Sequence, residues 1–121
     1  MRVMIVDDSA SMRLIVERTL EQAGHDDMEL SEARDGVDAL ARVNDCNPHL
    51  IPCDWNMPNM NGIDFLKRLR EAENSVRFGF VTTESTTGMR NAARQAGAQF
   101  LIAKPFTPES FGAVLAPMIG R

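Results

Sequence analysis

Short apolar runs without in-and-out alternation recur along this chain, and a stretch with helically spaced apolar residues follows each one. Val3 to Val6 is the clearest run. Burial of successive side chains suits a strand covered on both faces, as in a parallel sheet. Ser9 then stands before Met12, Ile15, Val16, Leu20 and Ala23, a helical stripe that Gly24 stops. Residues 28–33 read as a weaker second strand. Asp35 caps a second helix with Val37, Leu40 and Ala41 on its inner face, closed by Pro48. Residues 49–54 form a third strand, and Asn61 with Asp64 opens a helix carrying Ile63, Phe65, Leu66 and Leu69. Residues 78–82 form a fourth strand, followed by the thin stripe of Met89, Ala92, Ala93 and Ala96, which Gly97 ends. Residues 100–103 form a fifth. Thr107-Pro108 opens a last helix with Phe111, Val114, Leu115 and Met118, whose final turn Pro117 breaks. Strands alternating with helices in this way predict an α/β fold: a five-stranded parallel sheet doubly wound by five helices.

A chain of 121 residues suits one domain around one sheet. Its net charge of -4, without a basic cluster able to follow a phosphate backbone, argues against nucleic-acid binding. No apolar run approaches the roughly 20 residues of a membrane span. The start, MRVMIVDDSASMR, breaks its short apolar run with two aspartates and is no secretory signal. The expectation is a monomeric, cytoplasmic domain over residues 1–121. Cys46 and Cys53 form no CxxC pair and read as reduced thiols, Cys53 as a small buried hydrophobe.

The polar residues collect where chemistry is expected. Asp7 and Asp8 follow the first strand, Asp54 ends the third, Thr82 ends the fourth and Lys104 follows the fifth. All lie at carboxyl ends of strands, the edge at which open α/β sheets bind ligands. Three carboxylates brought together repel one another unless a cation or raised pKa values compensate. Oxygen donors without a nearby histidine or thiolate point to a hard ion such as Mg²⁺. His25 and His49 lack a partner at metal-ligand spacing. A hard ion, a carboxylate, a hydroxyl and a lysine suit phosphoryl transfer. Asp54 would attack phosphorus to form an acyl phosphate, Lys104 and the metal would neutralise the equatorial oxygens, and Thr82 would bond one of them. Singly, these residues read as turn acids, a loop hydroxyl and a surface lysine; their combination carries the chemistry.

The set VDDS (6–9), DWNMPNMNG (54–62), VTT (81–83) and KPF (104–106) resembles the receiver domain of two-component response regulators, in that family's order and spacing and over the whole chain. It is most similar to the stand-alone chemotaxis type, which has no output domain. The resemblance implies a flavodoxin-like sheet of order 2-1-3-4-5 with Asp54 as the phosphoacceptor. Asp8, Asp54 and the backbone carbonyl of Asn56 would ligate Mg²⁺, with Asp7 acting through water. Lys104 would contact the phosphoryl group, joined to Pro105 by a cis peptide. Thr82 would move toward the phosphoryl group and draw Thr83 and Glu84 with it. Asn56 and Glu84 hold the positions that tune loss of the phosphoryl group to water, and they match the rapidly resetting type. The implied partners are a histidine kinase, a downstream target on the face of helix 4, strand 5 and helix 5, and a phosphatase. The protein would then be a signalling switch in chemotaxis or a related pathway, and no enzyme beyond its own phosphorylation and dephosphorylation. Two other readings stand beside it. One is a receiver-like docking module independent of phosphorylation. The other is a Mg²⁺-dependent phosphohydrolase of the haloacid-dehalogenase type, which places its two acids two residues apart, whereas Asp7 and Asp8 are adjacent.

Three residues depart from the family's pattern. Leu101 stands where most members have an aromatic residue that swings inward, so the loop from Thr83 to Thr87 is expected to carry the change instead. Pro52 in a central strand predicts a bulge or one lost ladder hydrogen bond, costing roughly 1 kcal/mol. Gly79 is expected to weaken the fourth strand.

Overall fold

The computed structural model describes residues 1–25 and 27–117. The elements run β1 (Arg2–Val6), α1 (Ala10–Gln22), β2 (Glu29–Ala33), α2 (Gly36–Cys46), β3 (Leu50–Cys53), α3 (Gly62–Glu71), β4 (Arg77–Thr82), α4 (Thr87–Ala96), β5 (Phe100–Ala103) and α5 (Pro108–Leu115). All strand pairs are parallel, in the order β2-β1-β3-β4-β5. This is the five-stranded, doubly wound arrangement that the alternation predicts. Alternate strand residues fill opposite faces. Met4, Val6, Ile51, Phe78 and Phe80 pack against Ala39, Val43, Phe65, Leu66, Leu69 and Ala93 of α2, α3 and α4. Val3, Ile5, Leu50, Val81, Phe100 and Ile102 pack against Val16, Leu20, Phe111 and Leu115 of α1 and α5.

Each helix starts on a side-chain cap, from Ser9, Asp35, Asn61, Thr86 and Thr107 in turn. Thr86 is the one cap absent from the sequence reading. The inward faces of three helices differ from expectation. Ile15 is 47% exposed, and α1 buries Val16, Thr19 and Leu20. Thr19 can face inward because its hydroxyl donates to the Ile15 carbonyl at 2.7 Å, which satisfies it within the helix. Val37 is 51% exposed and Ala41 is also exposed, while Gly36, Ala39 and Val43 form the inner face of α2. The first turn of α2 sets this rotation: the Gly36 N–H donates to the Met60 carbonyl at 3.1 Å, and a Cβ on Gly36 would meet the Met60 side chain at 2.7 Å. On α4, Ala92 is exposed and Ala93 alone is buried. Met118 lies outside the described residues.

Pro52 causes no bulge. β3 pairs with β4 in unbroken register from Leu50↔Arg77 to Cys53↔Phe80. On the β1 side, Val3↔Leu50 and Val6↔Cys53 keep one offset. The Asp54 N–H donates to the Val6 carbonyl at 2.8 Å. Two residues earlier on the same side, proline has no N–H for Met4, so the cost is one ladder bond. Gly79 pairs with Phe100, whose ring lies over it.

Candidate functional site

The acids reach one place because β1 and β3 are neighbours that end together. Asp7 N–H donates to the Ala33 carbonyl at 3.0 Å, and Asp54 N–H to Val6, so both residues leave the sheet from ladder-fixed backbone. Asp7 is buried and its Oδ1 accepts from the Ser9 N–H at 2.9 Å, while Asp8 is exposed. Asp54 is half-buried, and its Oδ1 accepts from the Trp55 N–H at 2.8 Å, which fixes the carboxylate's orientation. Behind it, α3 begins in direct contact with backbone: a Cβ on Gly62 would fall 2.2 Å from the Asp54 carbonyl oxygen. Asp7, Asp8 and Asp54 each present an oxygen within 4.8 Å of the others.

Lys104 arrives from β5, where its N–H donates to the Thr82 carbonyl at 2.8 Å. Its Nζ lies 3.5 Å from Asp7 Oδ2 and 3.8 Å from Asp54 Oδ1. The Lys104–Pro105 peptide is cis. One cation among three acids leaves the cluster net negative. Burial pushes the Asp7 carboxyl above the usual carboxylate range, and the Lys104 ammonium only partly offsets this. Asp54 is likewise raised, by burial and then by the Asp7 charge. Burial and the Asp54 charge push the Cys53 thiol well up, so it stays protonated. A close set of carboxylates, Asp7 and Asp54 among them with raised pKa values, and no imidazole or thiolate donor among the described residues fits a hard divalent ion.

Thr82 is buried at the end of β4, and its Oγ1 accepts from the Glu84 N–H at 3.3 Å. Thr83 and Glu84 are exposed, and Thr86 caps α4 two residues beyond Glu84. Asn56 is exposed in the loop after Asp54. Leu101 pairs with Phe80 and packs on the α2–α4 side, whereas Phe100 packs on the other. Trp55 lies against Phe80 with ring centroids 4.5 Å apart and the planes tilted by 39°.

Two features were not legible in advance. Arg13 donates through Nη1 to the Asp7 carbonyl at 2.6 Å and pairs through Nε with Glu32 at 3.0 Å, bracing the turn after β1. Asp35, read from sequence only as a cap, also accepts from Asn59 Nδ2 at 2.7 Å. The available hint was Asn59 itself, an asparagine between Pro58 and Met60, the residue type that best tolerates positive φ after glycine.

Known proteins resemble this chain in sequence and in fold. The model of the response regulator receiver domain family matches residues 3–116. The chain is 36% identical to chemotaxis protein CheY1 of Helicobacter pylori, over 99% of this chain and 98% of that protein. It is 39% identical to a chemotaxis protein CheY homolog of Campylobacter jejuni, over 99% of this chain and 93% of that one. The structure of chemotaxis response regulator CheY4 of Vibrio cholerae superposes with a TM-score of 0.84 at 33% identity, covering 98% of each chain.

Proposed function

Because the chain belongs to the response regulator receiver domain family, we propose that it accepts a phosphoryl group on Asp54 from a histidine kinase and thereby changes its affinity for a downstream partner, in chemotaxis or a closely related pathway. Receiver domains with such relatives are signalling switches rather than classical enzymes. The observation that carries the proposal is the meeting of Asp7, Asp8 and Asp54 oxygens within 4.8 Å beside the Lys104 ammonium.

Asp8, Asp54 and the Asn56 carbonyl would hold Mg²⁺, with Asp7 reaching it through water. The ion supplies charge neutralisation for the phosphoryl oxygens. An Asp54 oxygen attacks phosphorus, an O–P bond forms, and the P–N bond to the donor histidine breaks with its electron pair left on the imidazole nitrogen. Lys104 moves its ion pair from the carboxylates to a phosphoryl oxygen. Thr82 lets go of the Glu84 N–H that its Oγ1 accepts and donates its hydroxyl proton to another phosphoryl oxygen. That exchange releases the turn of Thr83 and Glu84 leading to the Thr86 cap of α4, so the α4–β5–α5 face changes shape. Leu101 fills the space beneath, without the hydroxyl or ring of the usual aromatic. Water later attacks the phosphorus of the acyl phosphate, the P–O bond to Asp54 breaks to restore its carboxylate and inorganic phosphate leaves; Asn56 and Glu84 stand where they would set that rate.

The test is incubation with Mg²⁺ and acetyl phosphate followed by intact mass measurement. One added phosphoryl group is expected on the wild type and none on Asp54→Asn. An unmodified wild type that retains its fold would favour the phosphorylation-independent docking module, and many product equivalents released per chain from a small phosphomonoester would favour a phosphohydrolase.

A further inference from the structure

The loop between Asp54 and Gly62 is pinned at its tip as well as at its ends, and the tip attachment comes from β2–α2. Asp35 is buried, with Oδ1 accepting from the Asp38 N–H at 2.8 Å and Oδ2 from Asn59 Nδ2 at 2.7 Å. Beside it, the Gly36 N–H donates to the Met60 carbonyl at 3.1 Å. Asn59 holds φ of 66°, a left-handed backbone that its side-chain bond helps to retain. The ends of the loop are closed by the Gly62 N–H donating to the Trp55 carbonyl at 2.8 Å. Asn56 lies between these two attachments. Asp8, Asp35 and Asn59 share the wall of one cleft of about 570 Å³, so the latch borders the acid cluster. Each Asp35 oxygen already accepts from a donor, one in the α2 cap and one in the loop, which ties the loop to the helix.

We propose that the Asp35–Asn59 pair is a latch that positions the Asn56 carbonyl toward the acid cluster, and that Asp35 is a positioning residue for the divalent ion. This inference rests on the phosphorylation reading above. Outer partners that orient metal ligands commonly change affinity by about 10- to 100-fold.

The two side chains permit a swap. In Asp35→Asn the amide oxygen still accepts from Asp38 N–H, so the helix cap survives, but the Asn59 amide must turn over to accept from the new NH₂, and a charge-assisted bond becomes a weaker neutral one. In Asn59→Asp two carboxylates face each other. The double exchange restores one donor and one acceptor at the same net charge. Three readouts are compared: hydrogen exchange of residues 55–61 in metal-free protein, Mg²⁺ affinity from Trp55 fluorescence, and thermal stability. Each single variant should exchange faster in that loop and bind Mg²⁺ about tenfold more weakly, with the Tm of Asp35→Asn near wild type. The double variant should recover both loop protection and affinity. Single variants with wild-type Mg²⁺ affinity, or a folded double variant that recovers neither property, would overturn the latch alone. A wild type that binds no Mg²⁺ would overturn the phosphorylation reading together with it.

Discussion

The ring of Phe100 occupies the space that a side chain on Gly79 would need: a Cβ there would lie 2.2 Å from the ring carbons. The two are register partners on β4 and β5, so an aromatic covers the bare stretch of its neighbouring strand. Gly79→Ala should therefore destabilise the fold by about 1–3 kcal/mol through overpacking, and Phe100→Leu in the same chain should recover part of that loss. Denaturant unfolding of the single and double variants measures it. A neutral Gly79→Ala would mean that Phe100 moves aside freely.

Stability should depend on pH in a direction set by the acids. Asp7 and Asp54 have native pKa values raised above the unfolded value of about 3.9. Between those values the native state binds more protons than the unfolded state, so stability falls as pH rises through that window. Metal-free protein should thus gain stability on acidification from neutrality. Asp35 works oppositely. The Asp38 N–H and the Asn59 amide depress its pKa, so its contribution is complete above about pH 4 and lost as pH falls through its native pKa. Thermal melts without metal should peak in mild acid. Asp54→Asn should flatten the neutral side of the curve, and Mg²⁺, competing with protons, should raise Tm more at pH 7 than at pH 5.

Lys104 competes with any cation for Asp7 and Asp54, which its Nζ approaches to 3.5 and 3.8 Å. Lys104→Met should tighten Mg²⁺ binding several-fold by removing that rival charge, while slowing phosphorylation by acetyl phosphate by about 10²-fold or more through lost charge stabilisation. Binding titrations and single-turnover rates should move in opposite directions. Losses in both would show that Lys104 chiefly maintains the site's shape.

Trp55 is the only tryptophan in the chain, it follows Asp54, and its N–H holds the Asp54 carboxylate. Its emission should change when Mg²⁺ binds and again when a phosphoryl group is added, and Asp54→Asn should lose the second change. An emission insensitive to both would mean that the Phe80 contact isolates the indole from the pocket.

The element order, the strand positions to within a residue at each end and the convergence of Asp7, Asp8, Asp54 and Lys104 were legible because each depends on local pattern plus one topological rule. Apolar runs mark strands, and polar residues just after them fall at the carboxyl edge of a parallel sheet. Helix rotation was less legible. Ile15, Val37 and Ala92 fit an apolar stripe as well as their buried neighbours do, and only contacts such as Gly36 against Met60 choose among adjacent faces. The consequences of Pro52 and Gly79 also depended on partners: the lost donor falls between strands whose register is otherwise intact, and the bare glycine lies beneath an aromatic 21 residues away.

By itself the sequence determined the alternating architecture and which residues carry charge at which strand end, since periodicity and residue chemistry are local properties of the chain. Tertiary structure alone decided which helix faces turn inward, that Asp35 reaches Asn59, and that the Asp7 and Asp54 pKa values rise. Those outcomes depend on distances between segments far apart in the chain and on the burial they create together.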